Sequence, residues 1–283
     1  MNRLFPDEVK DMIRSKRMDP RAFADTILTY CHAIGYGRYE FVGLRYERDA
    51  GDYSTFRIQA PFSVPEAAGA IAGVVSAMVG GEHDVSYKQL SPGLYEFTTS
   101  WAEYPEVLKE RLRLQEYAHE DGDIELEVCP TCGCPKALSS YDWDLEKGII
   151  KQVYTGRRMT ILGPELPDPI FTALEWELGD AIPRAVVEAQ RRFVRTGFYT
   201  LDIMEADEDL RTQLALRGLG NLVDFEIDGR GAYLHLRNAC LHFIVIGLVQ
   251  GNFEMAFDTE SGVEWNLSEQ GDLEVQVTPR NIT

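Results

Sequence analysis

Two stretches of the chain show the same pattern of hydrophobic and polar positions. In each, two short alternating segments precede an apolar helix with two glycines and two more follow it, which predicts strand, strand, helix, strand, strand. The first set spans residues 38–47, 53–60, 64–80, 84–90 and 94–100, and the second spans 222–227, 232–237, 241–257, 262–267 and 273–277. The pattern predicts an α+β protein with two ββαββ copies, each a helix on a four-stranded antiparallel sheet.

Both of these helices carry two glycines four residues apart, Gly69 and Gly73 in the first and Gly247 and Gly251 in the second. The offset that superposes them also aligns the hairpins that follow, pairing Val85 with Val263, Tyr87 with Trp265, Gly93 with Gly271 and Glu96 with Glu274. A glycine inside a helix costs about 1 kcal/mol relative to alanine. Two explanations stay open: close packing of the helix backbone, or room for a bound molecule.

Three of the five cysteines lie in the segment CPTCGCP at 129–135. A C-x-x-C turn can place two thiolates on one metal ion, so we predict that Cys129, Cys132 and Cys134 are ligands of a structural zinc ion. A fourth ligand could come from His119, Asp142, Cys31, Cys240 or a residue of a partner chain. A metal-free turn and a redox or iron–sulfur centre are the alternatives.

Composition limits the class of partner. Lys and Arg number 28 and Asp and Glu number 46, so the net charge is 28 − 46 = −18, which disfavours nucleic acid as a partner. The apolar run at 241–257 contains Asn252 and Glu254 and is shorter than the ~20 residues of a membrane span. The first 17 residues are charged and lack a continuous apolar stretch, so we expect no secretory signal and a cytoplasmic location.

The glycine helix GAIAGVVSAMVG at 69–80 resembles that of the 4-vinyl reductase domain family. The segment GIIKQVYTGRRMTILG at 148–163 resembles the opening hairpin of the family, and residues 170–198 resemble its two leading helices, with a break at Leu178–Gly179. On this basis we predict a C-terminal domain at 148–283, a diverged N-terminal copy at 1–122 and a Cys-rich connector at 123–147.

The resemblance implies a homodimer with an apolar cavity for a hydrocarbon, an aromatic compound or a lipid-like molecule. Helix 168–196, the sheet and the glycine helix would line this cavity in the C-terminal domain. The predicted ligand-binding residues are Phe171, Leu174, Leu178, Phe193, Tyr233, His235, Phe243, Gly247 and Gly251. Aromatic stripes at helical spacing are also typical of an ordinary core, and that alternative stays open.

The sequence departs from the aromatic sensors of this family at their zinc site. His242 stands where those sensors have a cysteine, and the hairpin at 262–277 contains no cysteine, so we expect that zinc site to be absent. The segment GYGRYE at 35–40 has Glu40 in place of the third glycine of a dinucleotide fingerprint, so no nucleotide cofactor is predicted. We therefore favour a non-catalytic binding protein. The alternatives are an enzyme or accessory protein acting on a tetrapyrrole or aromatic substrate, and a scaffold with filled cores.

Overall fold

A computed structural model of the protein describes residues 20–47, 49–103, 119–164, 166–201 and 207–280, together with residues 8, 11, 12, 15 and 17. Most of the N-terminal stretch from which we predict the lack of a secretory signal lies outside the described residues. The chain divides into two compact units. One comprises Met1–Arg111 and Leu138–Gly163, and the other comprises Leu112–Ala137 and Pro164–Thr283.

The first unit has a helix before its sheet and a second helix between the two strand pairs. Its elements are α1 (Pro20–Ala33), β1 (Arg38–Arg45), β2 (Tyr53–Gln59), α2 (Val64–Val79), β3 (His83–Ser91), β4 (Leu94–Trp101), β5 (Tyr141–Asp144), β6 (Ile149–Gln152) and β7 (Arg158–Met159). Strands β1–β4 form an antiparallel sheet in the order β1-β2-β4-β3, and β5–β7 form a three-stranded sheet. Alternate residues of β2 are buried, as its sequence pattern predicts.

Local sequence fixes both ends of α2. The Ser63 side chain accepts a hydrogen bond from the Glu66 N–H at 3.4 Å, which caps the first turn. Gly80 ends the helix with φ of 85°, a left-handed conformation in which glycine avoids the Cβ penalty. The buried face of the helix packs on the sheet and forms the core of the unit together with Phe56, Ile58 and Phe97.

The hairpin of β6 and β7 is joined to the rest of the first unit by hydrogen bonds to backbone carbonyl groups. Gly37 donates its N–H to the Gly148 carbonyl oxygen at 2.9 Å. The Arg158 guanidinium donates to the carbonyl oxygens of Gly35 at 3.3 Å and Ala60 at 2.7 Å. The sequence places residues 148–163 at the start of the C-terminal domain, whereas these contacts group them with the first unit because their polar groups pair there. The boundaries 1–122, 123–147 and 148–283 stay a prediction about modular organisation.

The second unit adds a pair of helices to the same arrangement. Its elements are α3 (Pro167–Leu178), α4 (Ala181–Arg195), α5 (Asp207–Leu216), β8 (Asn221–Asp228), β9 (Gly231–Arg237), α6 (His242–Phe257), β10 (Ser261–Leu267) and β11 (Leu273–Pro279). Its antiparallel sheet has the order β8-β9-β11-β10, which is the order of the first sheet. The α+β class and the two four-stranded sheets are thus confirmed. The structure adds a third sheet, β5–β7, to them.

The backbone of helix α6 packs closely against the backbone of α4. A Cβ atom at Gly247 would lie 2.4 Å from the Val187 carbonyl oxygen, and one at Gly251 would lie 2.8 Å from the Arg191 carbonyl oxygen. Real Cβ atoms do not approach other atoms so closely, so both positions require glycine. Packing of one helix backbone on another therefore accounts for both glycines.

Polar groups on α6 are satisfied within the second unit. Asn252 accepts the Leu201 N–H at 3.0 Å and donates to the Leu248 carbonyl oxygen at 2.7 Å. The buried Gln250 side chain donates to the Ser261 carbonyl oxygen at 3.1 Å. Among the residues that the structure describes, no helix is both long enough and apolar enough to cross a membrane.

Candidate functional site

An apolar hollow lies inside the first unit, between the sheet and the two helices. It is lined by Ala24 of α1, by Phe41, Leu44 and Tyr46 in and after β1, by Ser54 and Phe56 of β2, and by Val75, Met78 and Val79 of α2. Its volume is about 20 Å³. The rings of Phe41 and Phe56 meet edge to face, with centroids 5.4 Å apart. The lining is apolar, and the space that it encloses is about that of one water molecule.

The Ser54 hydroxyl is hydrogen-bonded within the sheet. Its oxygen lies 2.7 Å from the Thr99 hydroxyl oxygen, which also accepts the Ser54 N–H at 3.0 Å. Because both groups are buried and paired, the wall at Ser54 presents little unsatisfied polarity to the hollow. The interior of the hollow is therefore suited to a ligand with few polar groups.

Four titratable side chains cluster near the start of α2, away from the hollow. Burial raises the pKa of the Cys31 thiol to about 12. The pKa of Tyr36 is raised mainly by burial and secondly by its hydrogen bond to Glu66. Burial also raises the pKa of Tyr39. Cys31 is thus a protonated thiol at neutral pH and a poor nucleophile. These groups build the core and supply no reactive centre.

The nine predicted ligand-binding residues of the second unit fall into three separate places. Phe171, Leu174 and Leu178 lie on α3 and Phe193 on α4, where Leu174, Leu178 and Phe193 are exposed. Tyr233 and His235 alternate with buried Leu234 and Leu236 along β9, so they lie on the sheet face opposite the core. Phe243, Gly247 and Gly251 are buried on α6. The structure does not bring these nine residues together around one cavity, and their role in binding stays a prediction.

The core of the second unit is filled by side chains. Ile246, Leu248 and Phe253 of α6 are completely buried against Leu234 and Val275 of the sheet. The sequence pattern predicts a ligand here, and it does not single out the lining residues of the hollow in the first unit. The signal that could have found them is the alternation of β2 together with the helical spacing of Val75, Met78 and Val79.

Three larger hollows open on the surface of the second unit and have charged walls, and two of them exceed 500 Å³. One, of about 520 Å³, includes Asp121, Asp123 and Arg211, and there the Arg211 guanidinium donates to both Asp123 oxygens at 2.9 Å. The other, of about 550 Å³, includes Arg184 and Glu264. Burying a hydrophobic molecule there would desolvate these charges, so neither hollow suits such a ligand.

The segment that holds Cys129, Cys132 and Cys134 folds into a tight turn. Cys129 donates its N–H to the Cys134 carbonyl oxygen, and Gly133 donates to the Cys129 carbonyl oxygen, both at 2.8 Å. Cys129 is half-buried, and the other two thiols are exposed. Hydrogen bonds from the backbone N–H groups of Cys132 and Thr131 lower the pKa of Cys129. Among the described residues, no group of three or more His, Cys, Asp or Glu side chains is placed to hold a metal ion.

Comparisons with known proteins give weak similarities. No family model and no curated protein matches the chain. Among solved structures, a vinyl-4-reductase family protein from Methanocaldococcus jannaschii is similar at 17% identity and a TM-score of 0.28, over 41% of this chain and 83% of that one. An H-NOX mutant from T. tengcongensis is similar at 14% identity and a TM-score of 0.29, over 45% and 79%. An H-NOX mutant from K. algicida reaches 14% identity and a TM-score of 0.30, over 54% and 90%.

TM-scores at this level carry no argument about fold or function. The resemblance to the 4-vinyl reductase family that the motifs indicate stays a prediction.

His242, which stands where aromatic sensors have a zinc-binding cysteine, begins helix α6. Its ring lies on that of Phe243, with centroids 3.9 Å apart. Burial lowers the pKa of His242 to about 4 from an ordinary value of 6.5. The side chain is therefore neutral at pH 7 and belongs to the packing of the helix start.

We expect His242 to make the protein sensitive to acid. Between pH 6.5 and 4 the unfolded chain binds a proton at this histidine and the folded chain does not, so the free energy of unfolding decreases as the pH is lowered, by about 3 kcal/mol from this group. In His242→Gln this contribution is lost, which urea unfolding at several pH values measures. His235→Gln, on the outer sheet face, controls for loss of a histidine. Equal pH slopes in the wild type and His242→Gln would contradict this expectation.

Proposed function

We propose that the protein binds a small hydrophobic or aromatic molecule in the hollow of the first unit and holds it without transforming it, as a carrier or sensor. The observation that carries the proposal is the lining of the hollow, with three aromatic rings, those of Phe41, Tyr46 and Phe56, and the flexible side chain of Met78. Burial of an apolar ligand against such groups contributes about 25 cal/mol per Å² of surface removed from water.

The ligand must enlarge the hollow when it enters. A cavity of about 150 Å³ accommodates benzene, whereas the hollow measures about 20 Å³. Met78 can change rotamer at low cost because its side chain is unbranched, and Val79 at the end of α2 is only half-buried. Movement of these two side chains would open the hollow towards the surface. The proposal therefore describes a closed state that opens to admit its ligand.

We further propose that the two units arose by internal duplication. Both have the order helix, strand, strand, helix, strand, strand, and both sheets have the same strand order. Ala60 and Asn238 have left-handed backbones, with φ of 51° and 52°, in the loop that precedes the glycine helix of each copy. Such a conformation is uncommon in residues other than glycine, so its recurrence at matching places supports a common origin. The homodimer and the cytoplasmic location stay predictions.

Binding of 4-fluorotoluene, followed by ¹⁹F NMR of the full chain, tests the proposed site. We expect the wild type to bind it and Val79→Phe, which fills the hollow, to bind at least tenfold more weakly. Val42→Phe makes the same change at a position that is 42% exposed, and it should bind like the wild type. Thermal unfolding of all three proteins shows that each is folded. Equal binding by the wild type and Val79→Phe would place the ligand elsewhere in the chain.

A scaffold protein is the second candidate function, because the core of the second unit is filled by its own side chains. The same titration separates the two. Absence of binding in the wild type, with every variant folded, would favour the scaffold. An enzymatic role on a tetrapyrrole or aromatic substrate stays an alternative, and turnover with an added reductant would reveal it.

A further inference from the structure

A hollow of about 550 Å³ on the second unit lies between α4, α6 and the edge strand β10, and is called the α4–β10 hollow below. Its volume falls within the range of roughly 300–1,000 Å³ that is typical of sites for small molecules. None of the nine ligand-binding residues predicted from the sequence lines it. The hollow is therefore a candidate site in addition to the one proposed in the first unit.

One part of the lining of the α4–β10 hollow is apolar and aromatic. Val263 and Trp265 are two residues apart on β10, so their side chains point to the same face of the strand. Val187 on α4 completes this part of the lining. Val263 and Trp265 are partly buried against the core of the second unit, which holds them in place. The indole of Trp265 thus offers a large flat surface on which an aromatic ring can stack.

A buried amide group lines the same hollow. Gln250 on α6 is only 6% exposed, and its NH₂ group donates to the Ser261 carbonyl oxygen at 3.1 Å. This hydrogen bond fixes the orientation of the amide, because the reverse orientation would place two oxygens against each other. No described residue donates to the Gln250 amide oxygen. That oxygen is therefore available as an acceptor for a hydroxyl or N–H group of a ligand.

The charged groups of the α4–β10 hollow favour an anion. Arg184 on α4 and Arg280 after β11 are exposed, and neither forms an ion pair with a residue in the described part of the chain. Two carboxylates also line the hollow, those of Glu188 and Glu264. Both Glu188 oxygens already accept hydrogen bonds from Arg191. Positive charge is therefore in excess, and the planar guanidinium groups match the geometry of a carboxylate.

We propose that the α4–β10 hollow binds an aromatic carboxylate that carries a hydroxyl or N–H group. The aromatic ring stacks on Trp265, the carboxylate pairs with Arg184 and Arg280, and the hydroxyl or N–H group donates to the Gln250 amide oxygen. Desolvation of the arginines, which disfavours a purely hydrophobic molecule here, is offset by the charge of the ligand. The site goes beyond the proposed function, because the hollow of the first unit has no charged group in its lining.

Titration of the full chain with 3-fluoro-4-hydroxybenzoate, followed by ¹⁹F NMR, tests this site without altering the protein. We expect the wild type to bind this compound. Removal of the carboxylate, in 2-fluorophenol, should weaken binding by about tenfold or more, because both arginine contacts are lost. Removal of the hydroxyl, in 3-fluorobenzoate, should weaken it by about fivefold, the effect of one hydrogen bond. Absence of binding by the wild type, or equal binding of 2-fluorophenol, would overturn the proposal.

Substitution of the arginines locates the ligand in the same titration. Arg184→Gln and Arg280→Gln should each weaken binding of 3-fluoro-4-hydroxybenzoate by about fivefold. Arg230→Gln is the matched control, because the Arg230 side chain is 92% exposed and lies outside the hollow, and it should bind like the wild type. Equal binding by all three variants would contradict the proposal. An excess of 4-fluorotoluene should not displace the compound, so this site and the site in the first unit succeed or fail separately.

Discussion

Gly247→Val is expected to lower the free energy of unfolding by about 4 kcal/mol. A Cβ at this position would lie 2.4 Å from the Val187 carbonyl oxygen and 2.7 Å from the Gln190 Cβ. Overpacking a core costs about 1–3 kcal/mol and occasionally more. Here the obstacle is the backbone of another helix, which cannot change rotamer, so α4 and α6 must separate. Urea unfolding monitored by circular dichroism measures the loss.

Gly69→Ala is the matched control at the corresponding position of the first unit. Gly69 is exposed on α2, and nothing lies within 4 Å of the place of its Cβ. Alanine there should raise the free energy of unfolding by about 0.5–1 kcal/mol, because it restricts the unfolded chain and favours the helix. Loss of stability in both variants would mean that helix packing does not explain the glycines of α6.

The local elements could be predicted from the sequence because their signals are local. The helix predicted at 64–80 spans Val64–Val79, and the helix predicted at 241–257 spans His242–Phe257. Alternation in β9 and β11 likewise predicted both strands. In β9 and β11 one face is apolar, and the period of about two residues is visible without knowledge of the neighbouring strands. Helix α6 is instead buried on all sides, with residues 245–254 all buried, and the length of its apolar run predicts the helix.

The position of the proposed binding site could not be predicted in the same way. Alternation shows that Tyr233 and His235 share a face of β9, and the apolar Leu234 and Leu236 between them indicate that the other face is the core. The alternation with these leucines was already visible in the sequence. It indicates that the side chains of Tyr233 and His235 lie outside any pocket between the sheet and α6. The sequence does not predict in this way that Leu178 on α3 is exposed. A helical period shows which residues share a face of a helix, but not whether another element covers that face.

The hollow of the first unit depends on packing at the scale of single side chains. Phe41, Phe56 and Met78 come from three different elements, and the space left between them depends on their rotamers. A sequence pattern identifies such residues as core but does not give the volume that they leave unfilled. The grouping of residues 148–163 with the first unit is also a tertiary result, because it depends on hydrogen bonds such as those of Arg158 with distant carbonyl groups.

Glu254→Ala is expected to lower the free energy of unfolding by about 3–5 kcal/mol, because it breaks a buried charge network. The Glu254 side chain is 0% exposed. One of its oxygens accepts hydrogen bonds from Arg191 at 2.6 Å and Arg195 at 3.3 Å, and the other accepts the Ser261 N–H at 2.8 Å and the Ser261 hydroxyl at 2.9 Å. Alanine would leave the Ser261 donors without this acceptor and the Arg191 charge less well compensated.

Glu188→Ala removes a carboxylate from the same network at its exposed end and serves as the control for Glu254→Ala. Glu188 is 39% exposed and pairs with Arg191 and Arg192, and its hydrogen bonds with Arg191 lower its pKa to about 2. Water screens this pair, so its loss should cost about 0–1 kcal/mol. Urea unfolding in low and high salt measures both variants. The cost at Glu254 should persist in high salt because the charge is buried, and equal costs at the two positions would show that burial does not decide the strength of these ion pairs.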